Sequence, residues 1–527
     1  MKRHDEIGRE DACFKPDSTP HVAKYVALFQ WLIIIVGASL ACAQFFSGRT
    51  LRLDEASLAL NFINKSPYEL LTQAGNLANN QSAPVGFLLI QKFFITWIPS
   101  DYGIRIFPLS CFIASLFLFR KIVNFFVKDS YASLFALALI SFNSPMIFYA
   151  SECKQYMGDV SACLIIFALL IHEFKSEHRK NVALALAGAV LIFFSNAVLI
   201  ALAVSGMVLF FKQVSVSRKA SSFVPLIALG AVWGASFLLY YFLFVHGMPM
   251  KDFMVNYWSK MQPSFLPIWP PLESVKFLLY HGFMFVRFIF GFWGAGALAV
   301  ALMLAGMVGC VKRRDWFLLS MTIAPLLIHL ILSALRLYPF ADRFCLYALA
   351  GVFLLCGRGL ECVNSLFKGN RKMLAVSAAM SVLAALALLL QDFPIEWNNL
   401  KPVLRFVEKE IQPGDVVFFT DYNASAPAAF YIELDHDSFF PSNKLVYPTT
   451  ADLDKIESHV SNLVGESRVW VVTCPASPGW RAHYSSKIIK DEEYCKEIRD
   501  ICDAYGVLQT ELRATGSAAF LYDFSSN

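Results

Sequence analysis

Long apolar runs separated by short basic connections dominate the first three quarters of the chain. Residues 25–46 form the clearest run, and about 20 apolar residues in a helix are enough to cross a bilayer. Ten later runs have a similar character: 104–119, 131–149, 157–173, 182–195, 197–211, 222–245, 291–311, 316–334, 344–358 and 373–391. The pattern therefore predicts an all-α polytopic membrane protein with about eleven transmembrane helices.

The basic residues indicate the orientation of these helices. When the predicted spans alternate in direction, 21 of the 33 Lys and Arg residues of positions 1–394 fall in the tail 1–24 and in the connections on its side. Cytoplasmic connections of membrane proteins carry such an excess. We therefore expect a cytoplasmic N-terminus and a C-terminus on the outer side, in the bacterial periplasm or the lumen of the endoplasmic reticulum.

One apolar run must then stay on the outer side. Residues 84–98 are short for a span, begin with Pro84, and carry Gln91 and Lys92 at their centre. We interpret them as an amphipathic helix lying on the membrane surface. The connection 47–103 then becomes a long outer loop, and residues 246–290, rich in Pro, Trp and Tyr, form a second one.

The charge balance changes near residue 395, after the transmembrane domain predicted for 25–394. Residues 395–527 hold 20 of the 40 acidic residues, which gives them a net charge of −8 against +13 for the rest. Their apolar pattern predicts strands at 415–420, 468–473 and 518–524 and helices at 424–433 and 485–505. We therefore expect a C-terminal α/β extracytoplasmic domain.

The composition supports this class and excludes others. Hydrophobic residues make up 57% of the chain and charged residues 16%, whereas soluble domains carry about 25% charged residues. A soluble or disordered protein is thereby excluded. The basic residues lie in small clusters between apolar runs, which gives no indication of nucleic-acid binding.

Asp54 and Glu55 follow the first span by a few residues. Charged groups this close to a membrane are expensive and invite a functional interpretation. The pair could supply a general base and an orienting partner. Alternatively, Asp54 could simply cap a helix that begins at Glu55.

A second acidic group opens the fourth predicted span. On a continuous helix, Glu152, Tyr156 and Asp159 would share one face, because they are spaced i, i+4 and i+7. Lys154 lies among them. The alternative is an ion pair of Glu152 with Lys154 or an arginine that only holds helices together.

Two arginines, Arg336 and Arg343, bracket a short outer loop. The planar guanidinium group suits phosphate because it donates two parallel hydrogen bonds. The alternative is anchoring to lipid headgroups. No cluster of His and Asp points to a metal site, and no cofactor is predicted, although the sequence leaves a divalent ion open.

These features occur in an order that resembles a known family. Asp54-Glu55 in a long outer loop is followed by Ala83-Pro84 opening a surface helix, by Gly-Ile-Arg-Ile-Phe-Pro at 103–108, and by Tyr-Ala-Ser-Glu-Cys-Lys-Gln-Tyr-Met-Gly-Asp at 149–159. The chain resembles the family 39-type glycosyltransferases of the GT-C fold, which include protein O-mannosyltransferases and the aminoarabinose transferase of lipid A. Residues 49–175 carry nearly all of the resemblance.

The resemblance implies an inverting transferase in the membrane. Its donor would be a sugar on polyprenyl or dolichyl phosphate, and its acceptor a lipid, glycan or protein on the outer side. Asp54 takes the place of the family's catalytic acid, with Glu55 beside it. Ala83-Pro84 stands where several relatives have His-Pro-Pro, so no role of that His is transferred.

The remaining site residues follow from this assignment. The second acid is either Glu152 or Asp159, and we favour Glu152, with Tyr156 and Asp159 in support. Lys154, Arg343 and Arg336 are candidates for binding the donor phosphate, where positive charge stabilises the leaving group. The main alternative is a lipid or solute transporter or flippase, which would carry charges within its spans and often shows internal repeats. A non-catalytic scaffold is a further alternative.

Overall fold

The computed structural model describes residues 20–74, 76–246, 251–291, 293–366, 371–391, 393–396, 398–434, 444–447, 453–475 and 484–525. Most of the cytoplasmic tail predicted for 1–24 lies outside these ranges. In chain order, the helices before residue 394 are α1 (Pro20–Phe46), α2 (Leu53–Asn64), α3 (Pro67–Thr72), α4 (Val85–Trp97), α5 (Ile106–Phe126), α6 (Ser130–Ser141), α7 (Ser144–Tyr149), α8 (Tyr156–Ile171), α9 (Glu177–Leu191), α10 (Val198–Val216), α11 (Val224–Tyr240), α12 (Lys251–Asn256), α13 (Pro271–Phe290), α14 (Trp293–Lys312), α15 (Trp316–Ala334), α16 (Leu349–Leu366) and α17 (Arg371–Leu390).

Seven helices within the described residues are long and apolar enough to cross a membrane. They are α1, α5, α10, α11, α14, α15 and α16, some with a flanking turn. Helices α4, α6 and α8 are apolar but shorter. The polytopic helical architecture is thus confirmed. Seven of the about eleven predicted spans are thus full-length apolar helices in the described residues, whereas α6, α8 and α9 have only 12, 16 and 15 residues and α17 has 20.

The run 131–149 was predicted as one span and is two helices. Helix α6 ends at Ser141, and Asn143 caps α7 by accepting a hydrogen bond from the backbone N–H of Met146. Pro145 lies in the first turn of α7, where its missing N–H costs nothing. An Asn cap followed by Pro therefore interrupts the run.

The segments predicted as outer loops contain more helix than the sequence indicated. Helix α4 confirms the helix predicted for 84–98, with Phe87 and Leu88 buried and Phe93 and Trp97 exposed. Residues 246–290 include α13, a helix of 20 residues that begins at Pro271. The sequence predicted a loop for this stretch, because Pro, Trp and Tyr are frequent in it.

The predicted C-terminal α/β domain is present and is called the tail domain below. Its elements are α18 (Leu400–Glu410), β1 (Val416–Phe419), α19 (Tyr422–Leu434), β2 (Lys444–Val446), α20 (Leu453–Ser461), β3 (Val469–Thr473), α21 (Tyr484–Asp503), β4 (Val507–Ala514) and β5 (Ser517–Asp523). The sheet order is β2-β1-β3-β5-β4. Strand β1 pairs in parallel with β2 and β3, whereas β5 is antiparallel to β3 and β4.

The three predicted strands and two predicted helices of this domain are confirmed. Strand β4 escaped prediction because it is an edge strand with alternating exposed and half-buried side chains. The tail domain joins the membrane part closely. Helix α19 packs along α2, and the Gln44 side chain at the end of α1 both donates to and accepts from the backbone of Ile395, at 3.0 and 2.7 Å.

Candidate functional site

Helix α2 places the two predicted acids in its first turn. The N-cap is Arg52, and the helix begins at Leu53. The alternative that Asp54 caps this helix is therefore wrong. Asp54 and Glu55 both lie where the positive end of the helix dipole favours carboxylates, but their side chains have different surroundings.

Asp54 forms an ion pair with Arg343. The Nη1 atom of Arg343 donates to Oδ2 of Asp54 at 2.5 Å. Arg343 belongs to a 3₁₀ segment, Asp342–Ala348, that leads into α16. Its guanidinium carbon lies 5.3 Å from the ring centre of Trp258 and 5.7 Å from that of Phe344. These cation–π contacts orient the arginine toward α2.

The Asp54 carboxylate is ionised and reachable by solvent. Burial alone would raise its pKa, but Arg343, Lys154 and Arg52 together hold this pKa well below its ordinary range. The Asp54 side chain is nevertheless 40% exposed. Asp54 is thus partly exposed and lies among three basic side chains.

The segment 150–155, between α7 and α8, is an irregular turn. Helix α8 begins only at Tyr156, so Glu152 does not share a helix face with Tyr156 and Asp159. This prediction was wrong because it assumed one continuous helix. Within the turn, Lys154 is buried and donates to the side-chain oxygen of Gln81 at 2.8 Å. Burial lowers the pKa of Lys154, although Asp54 opposes this effect.

Glu152 is a buried acid with an uncommitted oxygen. Its Oε1 lies 3.8 Å from Nη1 of Arg52, so Glu152 forms an ion pair with an arginine rather than with Lys154. Its Oε2 is buried and has no hydrogen-bond partner in the described part of the chain. Burial raises the pKa of Glu152; Arg52 and Arg49 counteract this effect only in part, and Glu55 adds to it.

Glu55 is fully buried and is held by the protein on both oxygens. Oε1 accepts from Arg105 Nε and from the backbone N–H of Cys153, both at 2.9 Å. Oε2 accepts from Arg49 at 3.0 Å, and from Arg105 and the Arg52 backbone at 3.2 and 3.3 Å. Burial would raise the pKa of Glu55, but the two arginines lower it to about 2. This geometry favours a positioning role for Glu55 over contact with a substrate.

The other predicted site residues are distributed unevenly. Tyr156 is buried, with its ring 5.8 Å from that of Phe344, next to Arg343. Asp159 instead accepts from Ser195 Oγ at 2.5 Å and from the Ala197 backbone at 3.4 Å. It therefore connects α8 to the start of α10.

Arg336 lies outside the Asp54 group. It is exposed after the end of α15, with a φ of 56°. It makes no ion pair with any residue that the structure describes.

The structure adds residues that the sequence analysis missed. Arg52 pairs with Glu152, and Gln81 accepts a hydrogen bond from Lys154. Trp258 lies against Arg343. The basic pair Arg49 and Arg52 directly before two acids was a visible signal. No local signal connected Trp258 to the site. We call Asp54, Arg343, Lys154, Glu152 and Arg52 the charged cluster below.

A metal site is not evident in the described ranges, which hold no group of three or more His, Cys, Asp and Glu side chains suited to an ion.

Comparison with known proteins identifies the fold. No protein-family model and no curated protein matches the sequence. Among solved structures, ArnT from Cupriavidus metallidurans in the apo state matches with a TM-score of 0.53 and 10% identity, over 94% of this chain and 98% of that chain. The same protein bound to undecaprenyl phosphate gives 0.53 and 11%, with the same coverage.

An Archaeoglobus fulgidus oligosaccharyltransferase gives a lower TM-score of 0.48, at 11% identity, over 93% of this chain and 73% of that chain. At the identity of the ArnT matches, what is shown is a shared fold. The chain therefore has the GT-C fold of a multi-pass membrane protein.

Proposed function

We propose that this protein is an inverting membrane glycosyltransferase that moves a sugar from a polyprenyl phosphate to an acceptor on the extracytoplasmic face. The observation that carries the proposal is the partly exposed Asp54–Arg343 ion pair, with Lys154 and Arg52 beside it. This group combines an ionised carboxylate with three cations, which is what the reaction requires.

The cations match the leaving group. When the bond between the sugar C1 atom and the phosphate oxygen breaks, the polyprenyl phosphate departs with an additional negative charge. Arg343, Lys154 and Arg52 would stabilise this charge with charge-assisted hydrogen bonds. Because the departing phosphate is a stable anion, no general acid is needed.

The acids serve the incoming nucleophile. A hydroxyl of the acceptor attacks C1 from the face opposite the phosphate, and its proton passes to a carboxylate. We assign this role to Asp54. Its ion pair with Arg343 makes it a weak base at first; a donor phosphate that binds Arg343 would compete with Asp54 and release it.

Glu152 is the second functional acid in this proposal. It has an unpaired Oε2 and a raised pKa, whereas Asp159 is bound to Ser195 and Ala197 away from the cluster. Glu152 would accept the proton from Asp54, or its ion pair would hold Arg52 in place. Glu55 holds the framework, and Tyr156 supports Arg343.

The fold supports this class of donor, since ArnT shares it and has been crystallised with undecaprenyl phosphate. The alternative of a transporter is less compatible with charges gathered at the ends of helices. By the distribution of basic residues, we place the N-terminus in the cytoplasm and the tail domain in the periplasm or lumen. The acceptor would be a lipid, glycan or protein on that side.

The direct test uses purified protein in detergent. We expect undecaprenyl phosphate to bind this protein saturably. In a second experiment, membranes from a strain that lacks the protein should accumulate a polyprenyl-phosphate sugar, and one lipid, glycan or protein should lose that sugar. Mass spectrometry of the lipid extract and of the envelope fraction would identify both. Absence of binding together with an unchanged sugar content of all three fractions would overturn the proposal.

A further inference from the structure

The segment 48–52, which carries Arg52 and leads into α2, is held from the tail domain. The Nζ atom of Lys401 donates to the Gly48 carbonyl at 2.5 Å, and the backbone N–H of Lys401 donates to Thr50 Oγ1 at 3.1 Å. The hydroxyl of Tyr431 accepts from the backbone N–H of Leu51 at 3.1 Å. Gly48, Thr50 and Leu51 are thus held by the side chains of Lys401 and Tyr431 and by the backbone N–H of Lys401, which are all far away in sequence.

Lys401 also starts a chain of ion pairs that ends at Glu55, the neighbour of Asp54 in the charged cluster. Its Nζ lies 2.5 Å from Asp101 Oδ2, and the same oxygen lies 3.5 Å from Arg105 Nη1. Arg105 in turn donates twice to Glu55. The Lys401 side chain is 20% exposed, and those of Asp101, Arg105 and Glu55 are 9% exposed or less. Solvent therefore screens this chain of charges only weakly.

Glu55 passes the constraint to both halves of the cluster. It neighbours Asp54 on α2 and accepts from the Arg52 backbone. It also accepts from the backbone of Cys153, which lies between Glu152 and Lys154. A displacement of Glu55 would therefore move Asp54, Arg52 and Lys154 together.

We propose that Lys401 and Tyr431 of the tail domain are positioning residues for the charged cluster, acting through the segment 48–52 and through the pairs Lys401–Asp101, Asp101–Arg105 and Arg105–Glu55. The proposal rests on the proposed function, because it assigns the tail domain a part in that reaction. The tail domain then completes the catalytic centre without touching the donor.

The test compares single substitutions in the full chain. Lys401→Met removes the charge and keeps much of the side chain, Lys401→Arg restores the charge, and Tyr431→Phe removes one hydroxyl. The controls break contacts within the tail domain that lie away from the junction: Lys444→Met for the exposed Lys444–Glu466 pair, and Tyr505→Phe for the Tyr505–Glu457 hydrogen bond.

Two measurements are made on each variant. Amide hydrogen exchange of residues 48–55 reports how firmly the backbone of this segment is held. The dissociation constant for undecaprenyl phosphate reports whether the charged cluster can still bind phosphate. We expect Lys401→Met and Tyr431→Phe each to accelerate exchange and weaken binding about tenfold, as for the loss of one buried hydrogen bond. Lys401→Arg should recover most of the binding, and the controls should match the wild type. Thermal unfolding verifies that every variant folds.

The outcomes separate this proposal from the proposed function. If wild-type protein fails to bind undecaprenyl phosphate, the proposed donor is wrong, while faster exchange in the two variants still supports the coupling. Unchanged exchange in both variants overturns the coupling. Faster exchange with unchanged binding overturns the positioning role, because the contacts would then be structural only.

Discussion

Arg343 donates its Nη1 hydrogen to Oδ2 of Asp54 at 2.5 Å, joining the first turn of α2 to the segment before α16. In the proposed reaction, the donor phosphate binds Arg343, and to do so it must break the ion pair between Arg343 and Asp54. A phosphate that takes the guanidinium frees the carboxylate. Substitution of Asp54 and substitution of Arg343 should therefore have opposite effects on the affinity for the donor phosphate.

Asp54→Asn should abolish sugar transfer without reducing donor binding. The amide cannot take the acceptor's proton, so we expect turnover to fall about 100-fold to 10,000-fold. Since Asp54 competes with phosphate for Arg343, the affinity for undecaprenyl phosphate should stay equal or rise. Turnover and a binding isotherm for the same preparation measure both effects. Normal turnover would remove Asp54 from the mechanism.

Arg343→Met should mainly weaken donor binding. The loss of hydrogen bonds between a guanidinium and a phosphate, about 1.5–3 kcal/mol, corresponds to a 10-fold to 100-fold higher dissociation constant for undecaprenyl phosphate. Arg336→Met is the matched control, since Arg336 is exposed and lies outside the cluster. If Arg336→Met weakened binding as much as Arg343→Met, the phosphate site would have been placed wrongly.

Glu55→Gln should destabilise the fold more than Asp54→Asn does. Glu55 is fully buried between two arginines, and breaking one side of a buried ion pair costs about 3–5 kcal/mol. The partly exposed Asp54–Arg343 pair contributes about 1 kcal/mol or less. Thermal unfolding in detergent compares the two variants. A Glu55→Gln protein as stable as Asp54→Asn would contradict the framework role of Glu55.

The raised pKa of Glu152 predicts a pH dependence of stability. Between its unfolded and folded pKa values, the folded state binds more protons than the unfolded state, so the free energy of unfolding falls as pH rises. Glu152→Gln removes this term. Its melting temperature should therefore exceed that of the wild type increasingly as pH rises above the ordinary glutamate pKa. A constant difference across this range would show that Glu152 does not titrate as described.

The orientation is tested by labelling. A cysteine introduced at Asn80, in the outer loop, should react with a membrane-impermeant reagent in intact cells, and one at Asn124 should not. Both positions are exposed in the structure, so accessibility within the protein does not decide the result. The reverse pattern would invert the predicted topology.

The sequence predicted what depends on local pattern and failed where distant segments meet. Hydropathy located most helices, and short continuous apolar runs located the buried strands of the tail domain. The break at Asn143-Ser-Pro145 was visible in principle as a cap followed by proline. The turn 150–155 was not, since Ser151-Glu-Cys-Lys154 contains no helix-breaking residue.

The candidate site shows the same division. Nearby residues predicted that a helix begins close to Asp54, although it begins at Leu53 and not at Glu55. Its pairing with Arg343, the packing of Arg343 on Trp258 and the commitment of Glu55 to Arg105 are contacts between remote segments, so only the folded chain reveals them.

The two hydrogen bonds between Gln44 and Ile395 bear on the order of biosynthesis. Gln44 emerges from the ribosome early, and its amide reaches its partner only after nearly four hundred residues have been translated. The helices that precede residue 391 can thus be inserted before this contact forms. A stop codon before residue 395 would remove both bonds and leave the amide at the end of α1 without the backbone of Ile395.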